Sequence, residues 1–302
     1  MPRSANHNRG IRLGLLVVFV CVAVGGSGGR REVQPSFPSI AADGNGSVPQ
    51  TRQRLNPDPS GEAMPVGDLR CWRQTFTDNF STDVALGDFP GAVASKWSAY
   101  PSPWKDTTGF GTYSPGKVVS ISDGVLNETI RTVDGQPLVA ALVPKLPGSK
   151  SFGYRYGRYA VRFRSDPIAG YKMAWLLWPD SNRSPRDGEI DLPERSLDSD
   201  IVAGFVHHQG ATKSGDQEQF AEPFDGTRWH TAVIEWSPGL VVFILDGREI
   251  GRTIERVPNT AMHWVIQTET KLDWTKPPAA DAAGNVQIDW VAAWAYDPSV
   301  TC

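Results

Sequence analysis

Two Asp-Gly pairs, Asp123-Gly124 and Asp246-Gly247, each stand between two short runs rich in β-branched and aromatic residues. Val118–Ser122 and Val125–Arg131 flank the first, and Leu240–Leu245 and Arg248–Thr253 flank the second. Asp-Gly readily takes the positive φ angles of a type I′ turn, so each pair is expected to join two antiparallel strands. Such hairpins commit the chain to sheets, and helical periodicity is too scarce elsewhere to compete. Further strands are expected at Leu138–Val143, Tyr156–Phe163, Lys172–Trp178, Ile201–His207, Thr231–Trp236, His263–Glu269 and Val286–Tyr296. The spacing predicts an all-β fold, a jelly-roll β-sandwich of two antiparallel sheets.

The ends set the number of domains in the 302 residues. Met1 to Arg12 carries Arg3, Arg9 and Arg12 with no acid; Leu13 to Val24 is an apolar run of 12 residues, and Gly25-Gly26-Ser27 follows. That is the order of a secretory signal peptide, and the run is short for a membrane span. Residues 1–27 are therefore expected to be a signal peptide or, if uncleaved, an N-terminal anchor; only the anchor would bring a membrane contact. Residues 28–66, rich in Gly, Pro, Ser, Asn and charge, read as a disordered linker. Residues 67–302 then form one domain of 236 residues, a size that a single sandwich can reach.

Export bears on the cysteines. Cys21 lies within the apolar run; Cys71, ahead of the first core strand, and Cys302, the last residue, could join the two ends as a disulfide in an oxidising compartment, the cell envelope or the medium. Losing the leader, with three arginines and no acid, takes the net charge from −3 to −6. Without a basic patch interleaved with aromatics, nucleic acid is excluded as a partner. No Cys/His cluster suggests zinc and no glycine loop suggests phosphate binding, so the expected chemistry needs no cofactor. A monomer is expected.

The chemistry concentrates in Glu189-Ile190-Asp191-Leu192-Pro193-Glu194, three carboxylates in six strand-like residues. Alternation puts Glu189 and Asp191 on one face and Glu194 on the other. A bulge within Asp191–Glu194 would restore the parity, and Pro193, which has no N–H for a ladder, suits one. Crowded carboxylates repel, which is useful where protonation states must differ. A retaining glycosidase needs that: an ionised nucleophile and a protonated acid, roughly 5 to 5.5 Å apart.

The run resembles the E-x-D-x-x-E signature of glycoside hydrolase family 16, the laminarinase, agarase and carrageenase type, here in its secreted bacterial form. The similarity continues in order along the chain: Phe76–Phe80 with the family's opening strand, Tyr156–Phe163 with its "yGrfeaRik" strand, and Ala174–Leu177 with the tryptophan strand before the catalytic one. Trp229–Trp236 with Asp246-Gly247, and Gln287–Val291, resemble its later hairpin and closing strand. The resemblance implies a concanavalin A-like sandwich with a concave cleft, and endo-acting, retaining hydrolysis of a β-linked polysaccharide. It implies Glu189 as nucleophile, Asp191 as its helper and Glu194 as acid/base. A structural calcium ion occurs in the family, with no ligands assignable here. A transglycosylase of the same fold and a non-catalytic, lectin-like sandwich are the alternatives.

Eleven tryptophans suggest sugar stacking as well as core. Trp236, Trp290 and Trp294 lie in apolar strands and read as core, whereas Trp104, Trp178 and Trp274 have polar or loop surroundings and are candidates for substrate contact. His208, at a strand end, and Gln267 and Glu269, alternating on one strand face, are the polar candidates. Ser184-Pro185-Arg186-Asp187-Gly188 stands where many relatives carry a tryptophan, which weakens a laminarin-like assignment.

Overall fold

The computed structural model describes residues 58–149, 153–272 and 275–302. The expected signal peptide and residues 28–57 of the expected linker lie outside these residues. Among the described residues the regular structure is almost all strand, with a four-residue helical turn and one short 3-10 turn. β1 (Trp72–Asp78) is followed by the short β2 (Trp97–Ala99) and β3 (Thr112–Tyr113), and a helical turn over Pro115–Val118 leads into β4 (Val119–Ser122). β4 pairs with β5 (Val125–Val133) across Asp123-Gly124, whose φ angles of 54° and 77° supply the primed turn. Next come β6 (Gln136–Val139), β7 (Ala141–Pro144), β8 (Gly157–Ser165), β9 (Tyr171–Pro179), β10 (Glu189–Ser196), β11 (Ile201–His207) and β12 (Gln217–Pro223). β13 (His230–Ser237) precedes the second Asp-Gly hairpin, β14 (Leu240–Leu245) with β15 (Arg248–Thr253), and β16 (Met262–Thr270) and β17 (Ala283–Tyr296) complete the chain.

The strands form two sheets. A ten-stranded sheet runs β15-β14-β13-β8-β17-β5-β6-β3, with β1 also on β17 and β4 also on β5; a seven-stranded sheet runs β12-β11-β10-β9-β16-β7-β2. All pairs are antiparallel except β3 with β6. Between the sheets lies the main core, where Trp97, Trp175, Trp236, Phe163, Phe243 and Trp264 are almost fully buried. Alternation explains the pattern: in β9, Met173, Trp175 and Leu177 enter this core, while Lys172, Ala174 and Leu176 face the other way, into a cleft.

Two boundaries differ from the sequence expectation. The run Leu138–Val143 is not one strand: β6 belongs to the ten-stranded sheet and β7 to the seven-stranded one, with Ala140 at the crossing, held by Thr268. Every residue from Leu138 to Val143 is buried, so hydrophobicity could not mark the break. The domain also starts before residue 67. Trp290 and Trp294 are buried, but on the outer face of the ten-stranded sheet with Trp72 and Val233. Their indole N–H groups need acceptors, which the carbonyls of Glu62 and Gly67 provide at 2.9 Å each. Ser60 N–H donates to Asp289 and Glu62 pairs with Arg162 at 2.9 Å, so residues 58–66 form a strap over this face.

The expected bridge between the ends is present: Cys71 and Cys302 are disulfide-bonded, with 231 positions of separation.

Candidate active site

β10 supplies the acids. Asp191 lies opposite Leu176 of β9 and Phe205 of β11, and Glu194 opposite Ala174 and Ala203, so three steps along β10 match two along each neighbour. The surplus residue makes a bulge at Leu192-Pro193. Leu192 stays in the core, and Glu189, Asp191 and Glu194 come out on one face. The small side chains of Ala174 and Ala203 flank Glu194 and leave it room. All three acids line one cleft together with Lys172, His207, Gln217, Gln267 and Glu269, with Thr107 and Leu272 among its further lining residues.

Burial dominates the electrostatics. Glu189 and Asp191 are buried side by side in the cleft. Burial, then the charge of Asp191, pushes Glu189 well above the usual carboxylate range; burial, then the charge of Glu194, does the same to Asp191, and Lys172 partly offsets it. Two such acids in contact share a proton. His207 Nε2 lies 3.2 Å from Asp191 Oδ2. Among the described residues, Glu189, Asp191 and His207 form one group whose donor atoms could meet on an ion, all within 4.8 Å of one another.

Lys172 is buried beside these acids, its Nζ 2.7 Å from Glu194 Oε1 and 3.7 Å from Glu269 Oε2. Burial alone would lower its proton affinity, but Glu194 and Glu269 outweigh it and hold the ammonium above the usual lysine range. Tyr100 is pushed up to about 12 by burial and by the charges of Glu189 and Glu269, so its hydroxyl keeps its proton near neutral pH.

The substrate-contact candidates divide. Gln267 lines the cleft and accepts from the Tyr113 hydroxyl at 3.3 Å. Glu269 lines it too but is engaged internally: its Oε1 accepts from Thr107 Oγ1 at 2.6 Å and from the Tyr113 hydroxyl at 3.1 Å. Trp178 shares the alternating face of Leu176 opposite His263, and its indole donates to Asn182 at 2.9 Å. Trp104 is 58% exposed, with its ring beside Tyr100. Trp274 lies outside the described residues.

His208 is a correction. β11 ends at His207, which pairs with Glu189 and faces the cleft; His208, one position on, turns away to Asp216 at 2.9 Å and to Arg256. Strand parity, applied from Glu189 across to β11, selects His207. Lys172 was also missed, although a lone lysine on the alternation Lys172-Ala174-Leu176 was its visible signal.

Residues 145–292 match the family model described as glycosyl hydrolases family 16. Comparison with curated protein sequences gives no match. Among solved structures, the LamAcat structure from Zobellia galactanivorans is similar at 19% identity and a TM-score of 0.59, over 73% of this chain and 97% of that one. The laminarinase from Rhodothermus marinus is similar at 21% identity and a TM-score of 0.60, over 74% and 98%. SCLam, a non-specific endo-β-1,3(4)-glucanase, is similar at 17% identity and 0.60, over 81% and 99%. A variant of the Zobellia protein is solved with laminaritriose and laminaritetraose. At these identities the likeness establishes a shared fold.

Proposed function

We propose that this chain, whose residues 145–292 match the glycosyl hydrolases family 16 model, is a β-glycan hydrolase of that family, an exported, endo-acting enzyme working by a retaining double displacement. The observation that carries this reading is the bulge in β10, which brings Glu189, Asp191 and Glu194 to one face of a single cleft. In the first step a Glu189 oxygen bonds to the anomeric carbon as the glycosidic bond breaks, and Glu194 gives its proton to the departing oxygen. In the second, water attacks that carbon, Glu194 takes the water's proton, and the bond to Glu189 breaks. Asp191 retains the shared proton while Glu189 attacks, so the nucleophile acts as an anion despite its burial.

The names of the similar structures make β-glucan the first substrate class to test. Export is supported by the Arg-rich, apolar N-terminus and by the Cys71–Cys302 bridge, which suits an oxidising compartment. Laminaritetraose and mixed-linkage glucan are the test substrates, with the product anomer followed by NMR. The expected result is β-anomer formed first, and loss of turnover in Glu189→Gln with binding retained. Initial α-anomer would overturn retention, and undiminished turnover in Glu189→Gln would overturn the assignment of the nucleophile. Sugar binding without turnover by the native chain would favour a lectin.

A further inference from the structure

Lys172 has no part in the double displacement, yet it is buried within the acid cluster. In β9 it stands opposite Glu269 of β16 on one side and Ser196 of β10 on the other, one alternation beyond the Ala174 that faces Glu194. Its Nζ reaches Glu194 Oε1 at 2.7 Å and Glu269 Oε2 at 3.7 Å. Glu269 is anchored in turn: the Thr107 backbone N–H, the Thr107 hydroxyl and the Tyr113 hydroxyl all donate to its Oε1, leaving Oε2 for the ammonium. The titratable neighbours of this group include Asp191 and Glu189 on β10, His207 on β11 and Asp106 beside Thr270. A line of contacts thus runs from the 101–111 segment through Glu269 and Lys172 to one oxygen of Glu194.

A buried ion pair is weak evidence for stability, because desolvation offsets most of the attraction. What the contact does supply is orientation. With Oε1 held by Lys172, Glu194 has Oε2 left to meet a glycosidic oxygen.

We propose that Lys172, braced by Glu269, is a positioning residue that fixes the Glu194 carboxyl so that Oε2 faces the bond to be cleaved. This rests on the reading of Glu194 as acid/base. Lys172 itself touches no reacting atom and keeps its protons throughout. In the first step the proton on Glu194 Oε2 passes to the leaving oxygen, and in the second Oε2 receives the proton of the attacking water. A misplacement of that oxygen by an ångström slows each proton transfer by an order of magnitude or more.

The test compares two leaving groups. A sugar alcoholate departs only with a proton, whereas 2,4-dinitrophenolate departs without one. Values of kcat/KM are measured on laminaritetraose and on 2,4-dinitrophenyl β-laminaribioside for the full chain and for Lys172→Met, Lys172→Arg and Glu194→Gln, with circular dichroism as the check of folding. Lys172→Met is expected to lose about 10-fold or more on laminaritetraose and less than about 3-fold on the aryl glycoside, with Lys172→Arg partly restoring the former. Equal losses on both substrates would show a structural role and overturn the proposal, as would an unchanged or improved rate on laminaritetraose. Should Lys172→Met fail to fold because Glu194 and Glu269 are left facing each other, the double variant Lys172→Met/Glu269→Gln carries the same expectation. Glu194→Gln separates the two claims: equal loss on both substrates there would sink the acid/base reading itself. A native chain inactive on both would sink the β-glucan assignment and this proposal with it.

Discussion

Glu128 has no solvent exposure and reaches from β5 between the sheets to Thr268 of β16, whose hydroxyl donates to its Oε2 at 2.8 Å; Oε1 has no partner. Burial raises this carboxyl from the ordinary 4.5 to about 8, with the Thr268 bond pulling weakly the other way. The folded state therefore holds a proton that the unfolded chain releases. The associated stability is complete below pH 4.5 and is lost as pH rises through about 8. The expected slope is about 1.4 kcal/mol per pH unit within that window. Glu128→Gln should flatten this decline in denaturant titrations at several pH values; an unaltered slope would contradict the buried, protonated carboxyl. At the acids of β10 the expectation is kinetic. Asp191 holds the proton that would otherwise sit on Glu189, so Asp191→Asn, which cannot take it, should reduce the maximum kcat/KM in pH-rate measurements against the native chain, and an unchanged profile would contradict the shared proton.

Within β10 the decisive feature is one surplus residue. Both neighbours count two steps where β10 takes three, and without the surplus Glu194 would be four positions from Glu189, again on the same face. Deleting Pro193 should therefore leave the three acids together and preserve measurable turnover, whereas loss of turnover in a folded deletion variant would show that the bulge itself is required. Turnover assays with thermal melts decide between these outcomes. The acid triplet, its parity problem and the bulge were legible in the sequence, because alternation and proline chemistry are local. Most strand positions were legible for the same reason. β12 was not: its sequence, Gln-Glu-Gln-Phe-Ala-Glu-Pro, is that of a polar, half-exposed edge strand and carries little hydrophobic signal. Nor was the split of Leu138–Val143, since one apolar run serves two sheets.

For the molecule as a whole, the ends of the domain are held from outside the main core. A link across 231 positions is worth up to about 5 kcal/mol in the chain-entropy model, so Cys302→Ser should lower the melting temperature while leaving kcat near native. A chain beginning at residue 67 would leave the Trp290 indole N–H without the Glu62 carbonyl and remove the Glu62–Arg162 pair. Such a chain should lose about 0.5–1.5 kcal/mol in denaturant titrations for the indole hydrogen bond alone. The sequence by itself determined the β-class, the hairpins, the order of family-like strands and the three acids, because each depends on neighbours a few residues apart. Only the tertiary structure decided that His207 faces the acids in place of His208, that Lys172 and Glu269 bracket Glu194, and that residues 58–66 belong to the domain. Those relations join positions tens to hundreds of residues apart, and strand pairing, which brings them together, is set by the packing of whole sheets.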